Sequence, residues 1–235
     1  MNIAIITARG GSKRIPHKNI KDFCGKPIIA YSIEAALLSG VFDDVMVSTD
    51  DPYIADLAKK YGATVPFLRS EETSNDFATT AEVIDEVLTV YSDMGINYSY
   101  ACCIYPTAPF ITSGKLKIAM NMLINNNADS VIPVVKFSFP PQRGMVIDND
   151  KLRPNQPEYL NMRSQDLEPI YHDCGQFYCI NVNNFRNTKK LVSANTLPLI
   201  MSDLEVQDID TMEDWTIAEM KYSIYIQSLI NNASN

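Results

Sequence analysis

Hydrophobic and polar positions follow two rhythms along the chain. Short apolar runs, several rich in β-branched residues, recur at intervals and are typical of buried strands. The intervening segments repeat apolar residues every three to four positions, which indicates helices. The predicted strands are Asn2 to Thr7, Asp44 to Thr49, Thr64 to Leu68, Tyr98 to Tyr105, Ser130 to Val135, Gln176 to Val182 and Asn195 to Met201.

The predicted helices lie between most of these strands. Proline favours a helix start, and glycine favours a helix end. Helices are expected from Pro27 to about Gly40, over Pro52 to Tyr61, after the capping-box pair Thr79 and Glu82, along the apolar face from Leu116 to Leu123, and from Thr211 to Leu229. Alternating strands and helices predict an α/β fold, a three-layer sandwich with a mostly parallel, Rossmann-like central sheet.

The alternation breaks from Phe137 to about Glu168. Prolines and polar residues replace the helical pattern there, including Pro140, Pro141 and Pro154. An irregular stretch of this length inside a compact domain usually acts as a lid or contacts another subunit. We therefore expect residues 1–235 to form a single domain with an insertion at about 137–168 that serves as a dimerisation or lid subdomain.

The composition is that of a globular enzyme-sized domain. The 235 residues are 46% hydrophobic and 20% charged, enough for one sizeable core. No apolar run approaches the roughly 20 residues that span a bilayer, and the apolar start followed by basic residues reverses the order of a signal peptide. We expect a cytoplasmic protein with no membrane partner.

Cysteine and histidine content limits the metal chemistry. The five cysteines are odd in number and lack C-x-x-C spacing, so we expect free thiols in the core rather than a disulfide framework or a zinc site. Only two histidines, His17 and His172, occur, which excludes a multi-histidine metal centre. Any metal must therefore rest on oxygen ligands.

Charge is unevenly distributed along the chain. The net charge is −8, yet residues 1–26 hold six Lys or Arg against one acid, which gives +5 there and −13 elsewhere. An acidic protein does not attract nucleic acid through its overall field, but a basic segment can bind a small polyanion. The asymmetry favours a phosphate ligand over a nucleic-acid partner.

The loop from Ala8 to Lys18 combines glycines, cations and a hydroxyl directly after the first predicted strand. Glycine amides can approach a phosphate closely, and an open parallel sheet binds its ligands at this edge. The loop matches neither the Walker A motif nor the dinucleotide fingerprint G-x-G-x-x-G. A phosphate site is the first interpretation, and a solvated basic loop is the alternative.

Two carboxylates, those of Asp208 and Asp210, are separated by one residue in the sequence. In an extended segment they point the same way and can share one hard cation, while Ile209 faces the core. The alternative is that Asp210 or Thr211 only caps the final helix.

Two further polar features accompany these motifs. The run from Asn161 to Asp166, continued by Tyr171 to Gln176, offers amides, carboxylates and Arg163 to sugar hydroxyls and acetamido groups, or forms a plain surface loop. The turn Tyr105 to Pro109 either presents Thr107 and its backbone to a site or simply ends a strand.

Taken together, these motifs resemble the sialic-acid cytidylyltransferases, also called CMP-N-acylneuraminate synthetases. The resemblance spans nearly the whole chain. It rests on the run Ala8 to Pro16 with Lys18 and Asn19, on Arg69 and Thr80, on the Pro-Thr-Ala-Pro turn, on Arg163-x-Gln165, on the Gly175 to Tyr178 strand, and on Asp208 to Thr211.

The resemblance implies a nucleotide-diphospho-sugar transferase fold and a set of site residues. The nucleotide would be bound by Ala8, Arg9, Gly10, Gly11, Ser12, Lys18, Asn19, Arg69 and Thr80. Asp208 and Asp210 would coordinate Mg²⁺, and they join Lys18 and Arg9 as the catalytic set. The sugar would be bound by Tyr105, Arg163, Gln165, Tyr171, Gln176 and Tyr178.

The polar run and the Tyr171 to Tyr178 segment are most similar to the branch that activates pseudaminic acid. The neuraminate enzymes carry Gln before a Pro-Thr-Ser-Pro turn, whereas Tyr105 precedes Pro-Thr-Ala-Pro here, which argues against N-acetylneuraminate. The resemblance thus implies transfer of CMP from CTP to an acidic nine-carbon sugar in a homodimer whose insertion contributes to the neighbour's site. N-acetylneuraminate, legionaminate, the related octulosonate and a non-catalytic nucleotide-binding regulator remain alternatives.

Overall fold

The computed structural model describes residues 1–233, with side-chain positions through residue 228. Strands form over the most apolar runs of the chain. In chain order they are β1 (Asn2–Thr7), β2 (Asp22–Phe23), β3 (Lys26–Pro27), β4 (Asp44–Ser48), β5 (Tyr100–Ile104), β6 (Ser130–Lys136), β7 (Met145–Asp148), β8 (Lys151–Pro154), β9 (Tyr171–Asp173), β10 (Phe177–Asn181) and β11 (Thr196–Met201).

The helices occupy most of the predicted positions. They are α1 (Ile28–Ser39), α2 (Pro52–Lys60), α3 (Glu71–Ser74), α4 (Thr80–Asp93), α5 (Ser113–Asn125), α6 (Val182–Thr188) and α7 (Met212–Ala233). The capping box that begins α4 is formed as predicted: the Thr79 hydroxyl accepts from the Glu82 amide, and the Glu82 carboxylate accepts from the Thr79 amide. Within the described residues, no helix is both long and apolar enough to cross a membrane.

Seven strands within residues 1–233 form one sheet in the order β11, β6, β10, β5, β1, β4, with β9 also paired to β6. The pairs β1–β4, β1–β5 and β6–β11 are parallel, whereas β10 and β9 run antiparallel to their neighbours. The predicted α/β fold with a mostly parallel sheet is confirmed. Because β10 is antiparallel, its first residues lie at the edge where the parallel strands end.

Hydrophobic cores on the two faces of the sheet give the predicted three layers. In β1, Ala4 and Ile6 pack with residues of α1, α2 and α5 on one face. The alternate residues Ile3 and Ile5 pack with α4 and α6 on the other. This separation follows from the two-residue period of strand side chains.

A separate cluster joins the N-terminal segment to the C-terminal helix. Ile15 and Phe23 pack with Ile209, Trp215 and other buried residues that are remote in sequence. The Phe23 and Trp215 rings meet edge to face with centroids 5.5 Å apart. This packing brings the segment around Asp208 and Asp210 to the basic loop.

The predicted strand from Thr64 to Leu68 is wrong. Thr64 forms one isolated bridge with Met46, and its backbone exchanges hydrogen bonds with Val45 and Val47. The pairing stops there because Pro66, two residues later, has no amide hydrogen to donate.

The insertion at 137–168 is more ordered than the irregular stretch that the sequence predicts. It contains the antiparallel hairpin β7–β8, whose turn residues Asn149 and Asp150 both have positive φ. One-turn helices lie at Pro141–Arg143, Pro157–Tyr159 and Ser164–Asp166. These elements are too short to produce a detectable hydrophobic period.

Other short elements also escaped prediction, namely β2, β3, α3, β9 and α6. Helix α6 is mostly polar and begins where the Asn181 side chain accepts from the Asn184 amide. The cysteines are free thiols, as expected, and they are buried except for Cys24, which is exposed at a turn.

Candidate active site

Two cavities open beside the ends of the parallel strands. The first, of about 550 Å³, lies between the basic loop after β1, the segment around α3 and the turn after β5. The second, of about 590 Å³, lies between the end of β6, the β9–β10 connection and the segment that leads to α7. Residues that contact the first cavity include Arg9, Ser12, Lys13, Lys18, Asn19, Arg69, Asp76, Thr80, Tyr105 and Thr107.

The cations of the basic loop converge on the first cavity. The Arg9 guanidinium lies 2.7 Å from one oxygen of Asp76, and the Lys13 ammonium lies 2.5 Å from the other. Hydrogen bonds from Lys13 and then Arg9 lower the pKa of the Asp76 carboxyl below its ordinary value. Asp76 therefore occupies a position suited to an anionic ligand oxygen.

Lys18 and Asn19 are held in place by backbone carbonyls. Lys18 donates to the Ile209 carbonyl at 2.6 Å, and its ammonium lies 3.7 Å from the Asp210 carboxylate. The buried Asn19 donates to the Arg9 carbonyl at 2.8 Å, which sets the course of the basic loop. Both side chains line the first cavity.

The glycine-rich part of the loop has a different environment from the one expected. Ala8, Gly10 and Gly11 are not among the residues that line the first cavity. The Gly10 amide donates to the Asp50 carboxylate at 2.8 Å rather than facing the cavity. A Cβ at Gly10 would lie 2.9 Å from Asp51, so this glycine permits close packing against the loop that follows β4.

Arg69 and Thr80 both line the first cavity. Arg69 is buried, and its guanidinium donates to the Ser48 hydroxyl at 2.9 Å and to the Ser48 carbonyl at 2.5 Å. Burial lowers the pKa of Arg69, and the Asp50 charge opposes that shift. The Thr80 hydroxyl is hydrogen-bonded to the Tyr105 hydroxyl at 2.8 Å, so Tyr105 closes one wall of the same cavity.

Asp208 and Asp210 lie beside the two cavities with Ile209 buried between them, as predicted. Asp208 lines the second cavity, and Asp210 lies 2.9 Å from the Arg14 guanidinium. Of the two residues offered as caps of the final helix, the alternative is wrong for the Asp210 side chain and confirmed for Thr211. The Thr211 hydroxyl accepts from the Asp214 amide, and the Asp214 carboxylate accepts from the Thr211 amide at 2.8 Å.

The donor chemistry of the aspartate pair fits Mg²⁺. Although Asp208 is exposed overall, partial burial of its carboxylate raises its pKa, and the nearby Asp210 charge raises it further. Two repelling carboxylates are the oxygen ligands that a hard divalent cation prefers, and such a cation removes the repulsion. Within the described residues, no third His, Cys, Asp or Glu completes a cluster with them, so water and ligand oxygens would fill the remaining positions.

Gln176 immediately precedes β10, and Tyr178 is the second residue of that strand. The buried Tyr178 donates its hydroxyl to the Asp173 carboxylate, and its ring meets Tyr105 edge to face at 5.7 Å. Gln176 is also buried and donates to the Glu205 carbonyl at 2.6 Å, while its backbone carbonyl accepts from the Tyr105 amide. Neither Gln176 nor Tyr178 lines the first or the second cavity, and Gln176 instead supports the turn that carries Tyr105.

The remaining predicted sugar residues are not brought to the cavities within one chain. Arg163 is exposed and lies 2.7 Å from Asp166 on the same one-turn helix. Gln165 and Tyr171 are exposed as well, and none of the three lines the first or second cavity.

Asp76 and Asp173 were not among the predicted site residues. Asp76 lies in a polar loop far along the chain from Arg9 and has no motif around it, so only the fold reveals it. Asp173 belongs to the polar run already singled out, and its position three residues before the buried Gln176 was the available signal.

Comparison with known proteins agrees with this geometry. The family model described as Cytidylyltransferase matches residues 3–202. A pseudaminic acid cytidylyltransferase of Campylobacter jejuni subsp. jejuni serotype O:23/36 is 37% identical over 97% of this chain and 98% of its own length. A CMP-N,N'-diacetyllegionaminic acid synthase of Legionella pneumophila subsp. pneumophila is 33% identical over 97% of this chain and 99% of its own length.

Similarity to solved structures supports the fold. The structure of a CMP:2-keto-3-deoxy-manno-octonic acid synthetase complexed with CTP superposes with a TM-score of 0.67. That match is 16% identical in sequence and covers 96% of this chain and 99% of the other.

Proposed function

The chain belongs to the cytidylyltransferase family, a class of nucleotidyltransferases, and from that premise we propose that it transfers CMP from CTP to a nonulosonic acid. Pseudaminic acid is the proposed acceptor, because that substrate is named for the 37% identical relative that matches nearly the whole chain. The products are the CMP-sugar and pyrophosphate.

The observation that carries the proposal is the convergence of Arg9, Lys13 and Lys18 on the first cavity, beside the carboxylates of Asp208 and Asp210. Such a cavity suits a triphosphate, because several cations can neutralise its charge. The second cavity, which Asp208 lines, is the proposed acceptor site. The α-phosphate would then lie near the aspartate pair.

In the proposed reaction, the anomeric hydroxyl of the sugar attacks the α-phosphorus of CTP in line. The bond from that phosphorus to the pyrophosphate oxygen breaks, the leaving oxygen keeps the electron pair, and the hydroxyl proton passes to solvent water. Arg9 and Lys18 offset charge on the departing pyrophosphate. Asp208 and Asp210 would hold Mg²⁺, which supplies charge neutralisation at the phosphate oxygens when bound.

The nucleotide itself would be held from two sides. Asn19 fixes the basic loop through the Arg9 carbonyl, so the guanidinium faces the cavity. Arg69 and Thr80 line the same cavity and are the proposed contacts for the nucleoside. CTP and an acidic sugar are metabolites of the cytoplasm, which is the proposed location.

The acceptor site is proposed to be completed by a second copy of the chain. The hairpin β7–β8 exposes Ile147 and Leu152 at 77% and 67%, and the neighbouring Phe139 is 85% exposed. Exposed apolar groups of this size favour a protein interface. In the proposed homodimer, Arg163 and Gln165 of this insertion reach the neighbour's acceptor site, because they line neither cavity of their own chain.

Legionaminate is the second candidate acceptor, on the strength of the 33% identical relative from Legionella pneumophila subsp. pneumophila. N-acetylneuraminate is disfavoured because Tyr105 stands where the neuraminate enzymes carry Gln, and its side chain is held by the Tyr178 ring and the Thr80 hydroxyl. A non-catalytic regulator is disfavoured because both aspartates and the cations of the first cavity are retained.

The test is to incubate the protein with CTP, Mg²⁺ and separate samples of pseudaminic acid, N,N'-diacetyllegionaminic acid, N-acetylneuraminic acid and the octulosonate. Pyrophosphate and the CMP-sugar are measured together. We expect the largest kcat/KM with pseudaminic acid. Pyrophosphate release with none of the sugars would overturn the proposed function, and preference for another sugar would overturn only the acceptor assignment.

A further inference from the structure

Asp173 presents a carboxylate to the wall of the second cavity with both oxygens engaged by the protein. One oxygen accepts from the Gly175 amide at 2.7 Å, and the other accepts from the Tyr178 hydroxyl. Within the described residues, no Lys or Arg forms an ion pair with this carboxylate. Its bonds therefore serve to orient neighbouring groups rather than to neutralise a cation.

The backbone at Asp173 explains why these bonds are made. Asp173 ends β9, which pairs with the end of β6, and β10 then pairs with the beginning of the same strand. Gly175 lies between the two strands with φ of +61°, a conformation that favours glycine. The Asp173 carboxylate spans this break and connects it to Tyr178 on β10.

Tyr178 in turn supports Tyr105. Their rings meet edge to face at 5.7 Å with an interplanar angle of 64°. The Tyr105 hydroxyl bonds Thr80 in the first cavity, and the Tyr178 hydroxyl bonds Asp173 at the second. The aromatic pair therefore lies between the two cavities, with each hydroxyl fixed from a different side.

We propose that Asp173 is a positioning residue that sets acceptor recognition by holding the Tyr178 hydroxyl and, through the ring contact, Tyr105. This inference rests on the proposed function. Tyr178 is buried and lines neither cavity, so its effect on the acceptor passes through Tyr105, whose ring it contacts and which lines the first cavity. Tyr105 is among the sugar contacts that the resemblance implies.

The test compares Asp173→Ala, Tyr178→Phe, the double variant and Asp173→Asn, with KM for the sugar, KM for CTP and kcat measured for each. Asp173→Ala should raise the KM for the sugar by about tenfold or more and leave the KM for CTP nearly unchanged. The double variant should resemble Tyr178→Phe alone, because Asp173 acts through that hydroxyl. Asp173→Asn should recover part of the loss, since its amide oxygen still accepts from Tyr178.

Tyr91→Phe is the matched control. Its hydroxyl donates to Asp44 at 2.5 Å in an equivalent Tyr–Asp bond that borders neither cavity. This variant should lower the melting temperature without changing the KM for the sugar.

The role of Asp173 would be overturned if the effects of the two single variants on the KM for the sugar were additive in the double variant, or if the KM for the sugar and the KM for CTP changed equally. The proposed function would still stand in that case, because it is tested by the activity of the wild type. If Asp173→Ala fails to fold, the same comparison with Asp173→Asn decides the point. An inactive wild-type protein would overturn the proposed function and this inference with it.

Discussion

The carboxylate of Asp76 accepts a hydrogen bond of 2.7 Å from the guanidinium of Arg9, 67 residues earlier in the chain. The second oxygen of Asp76 binds Lys13. Two of the cations proposed for the triphosphate are thus paired with a side chain of the protein itself. Binding of CTP would replace Asp76 as their partner, so the nucleotide and this carboxylate compete.

Asp76→Asn should therefore bind CTP a few-fold more tightly than the wild type. The competing charge is removed, and the exposed position keeps the effect modest because solvent screens it. Titration calorimetry at two salt concentrations measures it. Glu72→Gln, which removes an exposed acid from the neighbouring α3 helix, is the control, and weaker CTP binding in Asp76→Asn alone would contradict the prediction.

Asp210→Asn should lower kcat by at least about a hundredfold, because a carboxylate ligand becomes a neutral amide. The fold should be retained, since Thr211 and Asp214 form the helix cap. The exposed Glu213→Gln makes the same charge change nearby and should keep its activity. Near-normal turnover in Asp210→Asn would refute the metal assignment.

Asp208 should make metal-free stability depend on pH. Partial burial and then the Asp210 charge raise its pKa above the ordinary 3.8, so the folded state holds this proton more tightly than the unfolded state. Stability should fall as pH rises from 3.8 through the folded pKa and stay lower at neutral pH. Asp208→Asn should remove this loss and raise the free energy of unfolding at neutral pH by less than about 1 kcal/mol, because the site is open to solvent.

Thermal melts with and without Mg²⁺ measure the same effect. Mg²⁺ should stabilise the wild type by mass action and should do so less in Asp208→Asn. Equal stabilisation of both proteins by Mg²⁺ would argue that Asp208 does not hold the metal.

Arg163→Ala should raise the KM for the sugar by about tenfold or more, because a charged hydrogen bond to the acceptor is lost. If Arg163 acts in the neighbouring subunit, mixing an excess of Arg163→Ala chains with inactive Asp210→Asn chains should recover activity that neither variant shows alone. Each mixed dimer would contain one complete site. An effect confined to the KM for CTP, or no recovery on mixing, would contradict this arrangement.

Ile147→Asp should weaken self-association through the β7–β8 hairpin, since a charge replaces a side chain that is 77% exposed and apolar. Sedimentation velocity should show a shift from dimer to monomer at low protein concentration. Thr216→Asp, on an exposed face of α7 away from the insertion, is the control. An unchanged sedimentation profile in Ile147→Asp would place any interface elsewhere.

Local sequence patterns were sufficient for much of the fold. The first strand and the start of α4 at its capping box are as predicted, because each depends on residues close together in the chain. The mostly parallel sheet is also as predicted, because alternating strands and helices favour parallel pairing even though the paired strands are far apart in sequence. The prediction of a strand from Thr64 to Leu68 was wrong because Pro66 has no amide hydrogen to donate to a neighbouring strand, although the segment is apolar. The mostly polar α6 and the short β7–β8 hairpin leave too little periodic signal to be predicted.

By itself, the sequence determined the identity of the cations, the aspartate pair and the α/β scaffold that presents them, because residue type and spacing decide each. Tertiary structure alone decided that Asp76 pairs with Arg9, that Asp50 accepts a hydrogen bond from the Gly10 amide, and that Asp173 accepts one from the Tyr178 hydroxyl. The first two join residues far apart in sequence, and the third depends on the break between β9 and β10. Only packing of the strands and loops brings such groups within hydrogen-bonding distance.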